Sequence, residues 1–446
     1  MAKMNEYNKC VFCFNELKNT DICFETVETS VEKTPDPVKL AYERRFNPTL
    51  SENDVSCMSR QPICKYSPEN RQFELDKETG IPISWNQVMD NGWTLRSKRR
   101  LCGFCHKPLP VNFGKEPNIT IGLCGNTASG KTVYMLSLIH DLNRVPNMAA
   151  VPDPTFFSEM ETNYKDMYYA MYNGTSEGYE LPAATSPLEI LSPMVINCTY
   201  TDRNRSYNFM ITIFDMAGEG IKDQAYMAKQ GIYLENTAGV IFLKNPDYFP
   251  GMKMASEALE EHTYLSQLID TISSHPDGSR ARVAITLTKA DLLLERYTAD
   301  PDFAKVARMF DDDPATAHAY GFDVGKAMAY NKRLYNLYNW ENTRDSTVCT
   351  LYNSLKPKLK SGGNQKRGLF SRLFSRADDD YEDENDFKPW VMLFAASPLG
   401  RNVNFCGDNL LSVAPSGMLN VDPLLWLLYC VNMYPAQRKK GDREDY

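Results

Sequence analysis

Gly125-Asn126-Thr127-Ala128-Ser129-Gly130-Lys131-Thr132 is the stretch that decides the fold of this chain. It has the form G-x-x-x-x-G-K-[ST], in which glycines at both ends let the backbone wrap until its N–H groups converge on phosphates. The lysine reaches the outer phosphates and the threonine hydroxyl ligates Mg²⁺. The flanks suit that mechanism. Ile119 to Cys124 is a short apolar run fit for a buried strand, and Val133 to Leu142 carries apolar residues at helical spacing. The loop is therefore expected between a strand and a helix, with the positive end of the helix facing an anion.

Farther on, Tyr207 to Phe214 reads as an apolar strand ending on Asp215-Met216-Ala217-Gly218, a D-x-x-G. An aspartate at a strand's carboxyl end can hold a Mg²⁺ shell, and Gly218 can offer its N–H to a γ-phosphate. Arg282 to Leu287 forms another strand, ending on Thr288-Lys289-Ala290-Asp291, of the form [NT]-K-x-D. The Asp291 carboxylate can accept from guanine N1–H and the 2-amino group together, a pair that adenine does not present, and the Lys289 stem can pack over the base. Val391 to Ser397 is a last strand, whose small residues Ala395, Ala396 and Ser397 let the backbone approach the base from the other side. Four elements in this order, each at a strand's end, point to GTP or GDP with Mg²⁺.

With those residues the chain resembles the Ras-like and translation-factor (TRAFAC) class of GTPases, and within it the bacterial double-GTPase-type proteins associated with conflict systems. The resemblance also draws on Tyr233 to Leu243, read as a helix end and central strand, on the closing helix Asp422 to Leu428, and on two C-x-x-C motifs ahead of the core. It covers residues 116–436, with long unmatched stretches. It implies a Mg²⁺-dependent switch that hydrolyses GTP to GDP and phosphate, with a protein effector or activator as partner. The alternative is a protein that holds GTP without turning it over and serves as a scaffold.

Three positions depart from the pattern or leave it open. Glu219 follows the D-x-x-G where many Ras-like enzymes carry a glutamine that orients the attacking water. A glutamate accepts from water but donates nothing to a phosphoryl oxygen, so hydrolysis is expected to be slow or organised by another group. Thr185 is the candidate for the first-switch threonine that closes over Mg²⁺, an ordinary loop threonine being the other reading. Arg203 and Arg205 read as solvated turn residues rather than an arginine finger. The expected catalytic residues are thus Lys131, Glu219 and Thr185.

The chain has 446 residues, long enough for two or three domains, with 43% hydrophobic and 24% charged residues. Its formal net charge is −8, from 49 Lys and Arg against 57 Asp and Glu, which argues against a nucleic-acid partner. No apolar run approaches the ~20 residues of a membrane helix, and no charged-then-apolar leader opens the chain. A cytoplasmic location is the expectation.

The 12 cysteines in such a chain read better as metal ligands than as disulfides. Cys10-Val11-Phe12-Cys13 and Cys102-Gly103-Phe104-Cys105 each present two thiolates on a tight turn, and four thiolates make a closed tetrahedral Zn²⁺ site. Cys23, Cys57 and Cys64, with His106, are alternative ligands or else buried thiols. Cys124, Cys198 and Cys430 fall inside apolar elements and read as core.

The expected architecture is a three-layer α/β phosphate-loop domain with a mostly parallel sheet at 116–436, preceded by a zinc-binding module at 1–110 and followed by a polar tail at 437–446. Arg96, Lys98, Arg99 and Arg100 make a basic cluster that reads as a solvated face. An insertion at 144–181, rich in aromatics such as Phe156, Tyr164 and Tyr168, reads as a helical segment at the first switch. A second, at 356–388, has opposite charge blocks and reads as a surface loop.

Overall fold

Between its two C-x-x-C turns the N-terminal region folds as short antiparallel strands. β1 (Ile22–Glu25) pairs with β2 (Ile63–Lys65) on one side and β3 (Arg100–Cys102) on the other, with Phe24 opposite Cys64 and Ile22 opposite Cys102. The strands Phe73–Leu75, Pro82–Val88 and Thr94–Ser97 form a separate meander. α1 (Pro37–Glu43) starts where a first-turn proline follows an aspartate cap, since Asp36 Oδ1 accepts from the N–H groups of Val38 and Lys39. The structure is a computed structural model and describes residues 8–28, 30–126, 129–158, 164–183, 193–202, 205–217, 232–246, 263–268, 281–292, 321–339, 344–354, 389–400 and 403–435.

Arg100 departs from the solvated face expected of its cluster. It is 4% exposed, and its guanidinium donates to the carbonyls of Pro110 at 2.8 Å, Val111 at 2.6 Å and Phe113 at 3.3 Å. The hydrogen bonds of this donor-only group go to backbone carbonyls, and burial pulls its pKa down to about 10. Its neighbours are paired as well, Arg99 with Glu25 at 2.8 Å and Arg96 with Glu74.

The chain divides into two compact units that alternate along the sequence: Met1–Leu123, Asn147–Ala238 and Phe405–Ala414 make one, and Cys124–Pro146, Gly239–Asn404 and Pro415–Tyr446 the other. Among the described residues the central sheet has seven strands and is mostly parallel, as expected. In the first unit lie β4 (Asn118–Gly125), which runs on into the second, β5 (Met148–Pro152), β6 (Met194–Asp202) and β7 (Arg205–Ala217), in the order β5-β6-β7-β4. β5 and β7 are both antiparallel to β6, with Ala150 opposite Cys198 and Ile196 opposite Ile211. Arg205 opens β7 instead of lying in the turn, and Arg203 is outside the described residues.

The insertion at 144–181 is not wholly helical, because Met148 and Ala150 are buried while Ala149 and Val151 are exposed, the period of two that makes β5 a strand. Helices Pro154–Ser158 and Tyr164–Tyr172 follow it, and Phe156 and Tyr164 are fully buried.

The second unit contains α2 (Lys131–Leu142), β8 (Gly239–Lys244), β9 (Arg282–Leu287), β10 (Val391–Ala395), α3 (Val324–Asn339), α4 (Ser346–Ser354) and α5 (Asp422–Cys430). β8, β9 and β10 are parallel, with Ile241 opposite Ala284 and Ile285 opposite Leu393. β8 and β10 are buried throughout, as parallel strands covered on both faces require. Every residue of α5 is buried, and Trp426 meets Phe394 at 5.6 Å between ring centres. Asn331 on α3 accepts the Leu393 N–H at 2.8 Å, which occupies a donor of β10.

Candidate nucleotide site and thiol cluster

The glycines that open and close the phosphate loop are both required by backbone geometry. Gly125 has φ +153°, and a Cβ there would come within 2.7 Å of the Leu243 carbonyl and of Ser129 Oγ. Gly130 has φ +81° and caps α2, so the first N–H groups of the helix open toward the loop. Ser129 Oγ is buried with no hydrogen-bond partner among the described residues. A cradle that tolerates no Cβ, beside an unsatisfied hydroxyl and a helix N-terminus, fits a phosphate. Lys131 Nζ lies over the loop and donates to the carbonyls of Gly125 at 2.8 Å and Asn126 at 3.2 Å. Asn126 is buried, Thr132 sits in the first turn of α2, and Thr127 and Ala128 lie outside the described residues.

The Thr288-Lys289-Ala290-Asp291 turn is tied to that loop. Thr288, fully buried, places its hydroxyl 3.1 Å from the Ser129 carbonyl and 3.1 Å from the Lys244 carbonyl, while its N–H bonds Lys244 at 2.9 Å. Lys289 has φ +49°, a left-handed conformation uncommon for a side chain of this kind and one that recurs at ligand sites. The Ala290 N–H bonds the Ala396 carbonyl at 3.2 Å, and the Ala396 N–H bonds Leu287 at 2.8 Å. Ser397 Oγ donates to Asp291 Oδ1 at 2.6 Å, and the Ser397 backbone exchanges two bonds with Met418, at 2.9 and 3.0 Å. Loop, turn and the Ala395–Ser397 strand end are thus joined within one unit.

Two features here escape sequence reading. Ser397 donates its hydroxyl to the Asp291 carboxylate, beyond the backbone approach expected of a small residue. Lys244 and Asp345 form a buried ion pair at 2.8 Å, at 1% and 3% side-chain exposure. Asp345 also caps α4 by accepting the Val348 N–H at 3.0 Å. The one signal for that pair was a lysine closing an otherwise apolar strand.

In the other unit, Asp215 lies at the carboxyl end of β7, two residues from its last. Gly218, Glu219 and Thr185 lie outside the described residues.

The two C-x-x-C motifs converge. The ligand atoms of Cys10, Cys13, Cys102 and Cys105 all lie within 4.8 Å of one another, with Cys10 to Cys105 and Cys13 to Cys102 each at 3.7 Å. That matches the ~3.8 Å edge of a tetrahedron with metal–sulfur bonds of about 2.3 Å and is far beyond a disulfide. Each pair forms the same turn: the N–H groups of Phe12 and Phe104 each donate to the first sulfur at 3.4 Å, and the residues after the pairs, Phe14 and His106, have φ of +56° and +49°. Burial pushes the Cys10 and Cys105 thiols up, so a cation is needed to hold both as thiolates. Among the described residues this is the cluster that can hold a metal ion. His106 is engaged elsewhere, its Nδ1 2.9 Å from the Asp36 carboxylate.

The fold, the phosphate loop and the turn that joins it are those of a P-loop GTPase domain. Residues 119–327 match the family model Double-GTPase 2. Among solved structures, the chain is similar to the G domain of the T. maritima FeoB iron transporter at 10% identity and TM-score 0.19, over 43% of this chain and 82% of that one. It is also similar to the S. cerevisiae Ski7 GTPase-like domain, bound to GTP, at 12% identity and TM-score 0.29, over 71% of this chain and 50% of that one. No curated protein matches the chain. No helix among the described residues is long and apolar enough to cross a membrane.

Proposed function

We propose that the chain binds GTP with Mg²⁺ and hydrolyses it slowly, as a switch whose partner is a protein effector or activator. The observation that carries this reading is the Thr288 hydroxyl between Ser129 and Lys244, with Asp291 held by Ser397, because it fastens a guanine-selective carboxylate to a phosphate loop.

Lys131 supplies charge to the outer phosphates, exchanging its bonds to the Gly125 and Asn126 carbonyls for phosphate oxygens. The α2 N-terminus and loop amides add fixed positive potential. Asp291 accepts from the guanine N1–H and 2-amino group while the Ser397 hydroxyl occupies another of its lone pairs. Thr132 and Asp215 are assigned to the Mg²⁺ shell by the motifs they belong to, and Thr185 to its closure; held there, the ion would supply positive charge to the phosphates. Glu219 can accept a hydrogen bond from water but donates none to a phosphoryl oxygen, which supports a slow intrinsic rate. Four thiolates with no open position suit Zn²⁺ in a structural role. A bacterial conflict system is the setting that the family resemblance suggests.

Phosphate release from Mg²⁺-GTP and Mg²⁺-ATP, measured beside Lys131→Ala, tests the reading. Release from GTP alone, lost in the variant, is the expected result. GTP binding without release favours the scaffold, and equal release from ATP overturns the assignment of Asp291.

A further inference from the structure

The Cys10/Cys13 turn carries aromatic side chains as well as thiols, and they reach the strand that ends in the D-x-x-G. Phe14 has φ +56°, held by its N–H bond to the Cys10 carbonyl at 3.0 Å. A bulky residue seldom adopts that conformation. Its ring meets Phe214 at 6.0 Å and Tyr233 at 5.6 Å, and those two rings stack on each other at 4.2 Å. Phe214 directly precedes Asp215, and Tyr233 follows the D-x-x-G region.

The same turn touches a second segment. Phe12 stacks on Phe156 at 5.9 Å, and Phe156 belongs to the helix that follows β5 in the 144–181 insertion. Tyr42 fixes the turn from the module side, its hydroxyl donating to the Phe12 carbonyl at 2.9 Å. Cys10, Cys105, Phe12, Tyr42 and Phe156 share one buried cluster, with Ile232 packed against it.

We propose that Phe14 is a positioning residue for Asp215, and that metal on Cys10, Cys13, Cys102 and Cys105 holds it there, so that the Mg²⁺ requirement for nucleotide binding depends on occupancy of the thiol site. The inference rests on the reading of Asp215 as a Mg²⁺-shell residue. A metal bound by both pairs fixes the first turn against the second. Without it, the Cys10 turn keeps its short-range bonds, from the Cys10 N–H to the Asn15 carbonyl at 3.0 Å and from Phe14 back to Cys10. The Phe14 ring is then no longer anchored against Phe214. Because residues 214 and 215 share one strand backbone and point to opposite faces, a ring that locates Phe214 also locates the Asp215 carboxylate.

The test uses the full chain and titrates Mg²⁺ against binding of a fluorescent GTP analogue, with zinc content read by elemental analysis. Phe14→Ala is expected to raise the Mg²⁺ midpoint roughly three- to tenfold, the scale of an aromatic pair. It should keep its zinc and its nucleotide affinity without Mg²⁺, and Phe14→Tyr should restore the midpoint. Zinc removal with a thiol-competing chelator should shift the wild type the same way and add nothing in Phe14→Ala. An unmoved midpoint in zinc-loaded Phe14→Ala overturns the proposal, as does an equal fall in affinity with and without Mg²⁺. Lys131→Ala and Asp215→Ala run alongside. Wild-type GTP binding in the first, or an unchanged Mg²⁺ midpoint in the second, sinks the nucleotide-site reading itself, whatever Phe14→Ala does.

Discussion

The Ser397 hydroxyl donates to Asp291 Oδ1 across 2.6 Å, joining the end of β10 to the turn after β9. A carboxylate so held cannot rotate away from a base edge, and the bond consumes one of its lone pairs. Ser397→Ala should therefore weaken GTP binding several-fold, for a loss of about 1 kcal/mol. It should also narrow the preference for GTP over inosine triphosphate, which lacks the 2-amino group. Competition binding with the two nucleotides reads both effects. Asp291→Asn should move the preference toward xanthosine triphosphate, whose C2 carbonyl accepts from the new amide. An unchanged ranking would remove Asp291 from base reading.

Thr288→Val keeps shape and removes a hydroxyl that lies between two buried carbonyls, of Ser129 and Lys244. The cost should be about 1–3 kcal/mol of stability, since those acceptors lose a partner without gaining water. Nucleotide dissociation should speed up as well, because Ser129 belongs to the loop. Urea unfolding and stopped-flow release measure the two, and a variant with normal release would leave Thr288 with a purely structural task.

Lys244 and Asp345 form an ion pair sealed from solvent. Removing one member strands the other, so Lys244→Met or Asp345→Leu alone should destabilise by about 3–5 kcal/mol, whereas the double replacement should recover most of that loss. Denaturation of all four proteins gives the coupling energy directly. Additive single effects would show that the two charges do not depend on each other.

Lys39 supplies a pH dependence. Burial lowers its pKa from 10.5 to about 8, with its ammonium on the Met58 carbonyl at 2.9 Å. Between those two values the unfolded chain binds more protons at this site than the folded one, so stability rises with pH across that window. Below pH 8 the penalty of burying the charge is fully present. Lys39→Met should thus gain on the wild type in melting temperature at pH 7 and lose that advantage by pH 10.5. A gap that stays constant with pH would mean the ammonium is solvated in the native state.

The fold was legible wherever local pattern and mechanism coincide. Gly125 to Thr132 announces a strand, a phosphate cradle and a helix because each residue type has a local backbone or charge reason to be there. Two C-x-x-C pairs announce convergence because a tight turn can present two sulfurs. Arg100 was misread because its partners are backbone carbonyls of Pro110, Val111 and Phe113, which leave no trace in side-chain pattern. Met148 to Pro152 was hidden by its length, since five residues give too few periods to separate a strand from a helix end. The Lys244–Asp345 pair and the Ser397–Asp291 bond join positions about a hundred residues apart, beyond any local window.

The thiol cluster takes its halves from opposite ends of the N-terminal module, with β1, α1 and the meander between them. During synthesis the first turn leaves the ribosome long before the second, and two thiolates alone are half a tetrahedron. The site is therefore complete only with Cys102 and Cys105, and because Cys102 is also the last residue of β3, the thiol cluster and the β1–β3 pairing close together. A chain stopped within the meander would lack both the second thiol pair and the strand that completes the β2-β1-β3 sheet, so the two halves of the module depend on the same few residues.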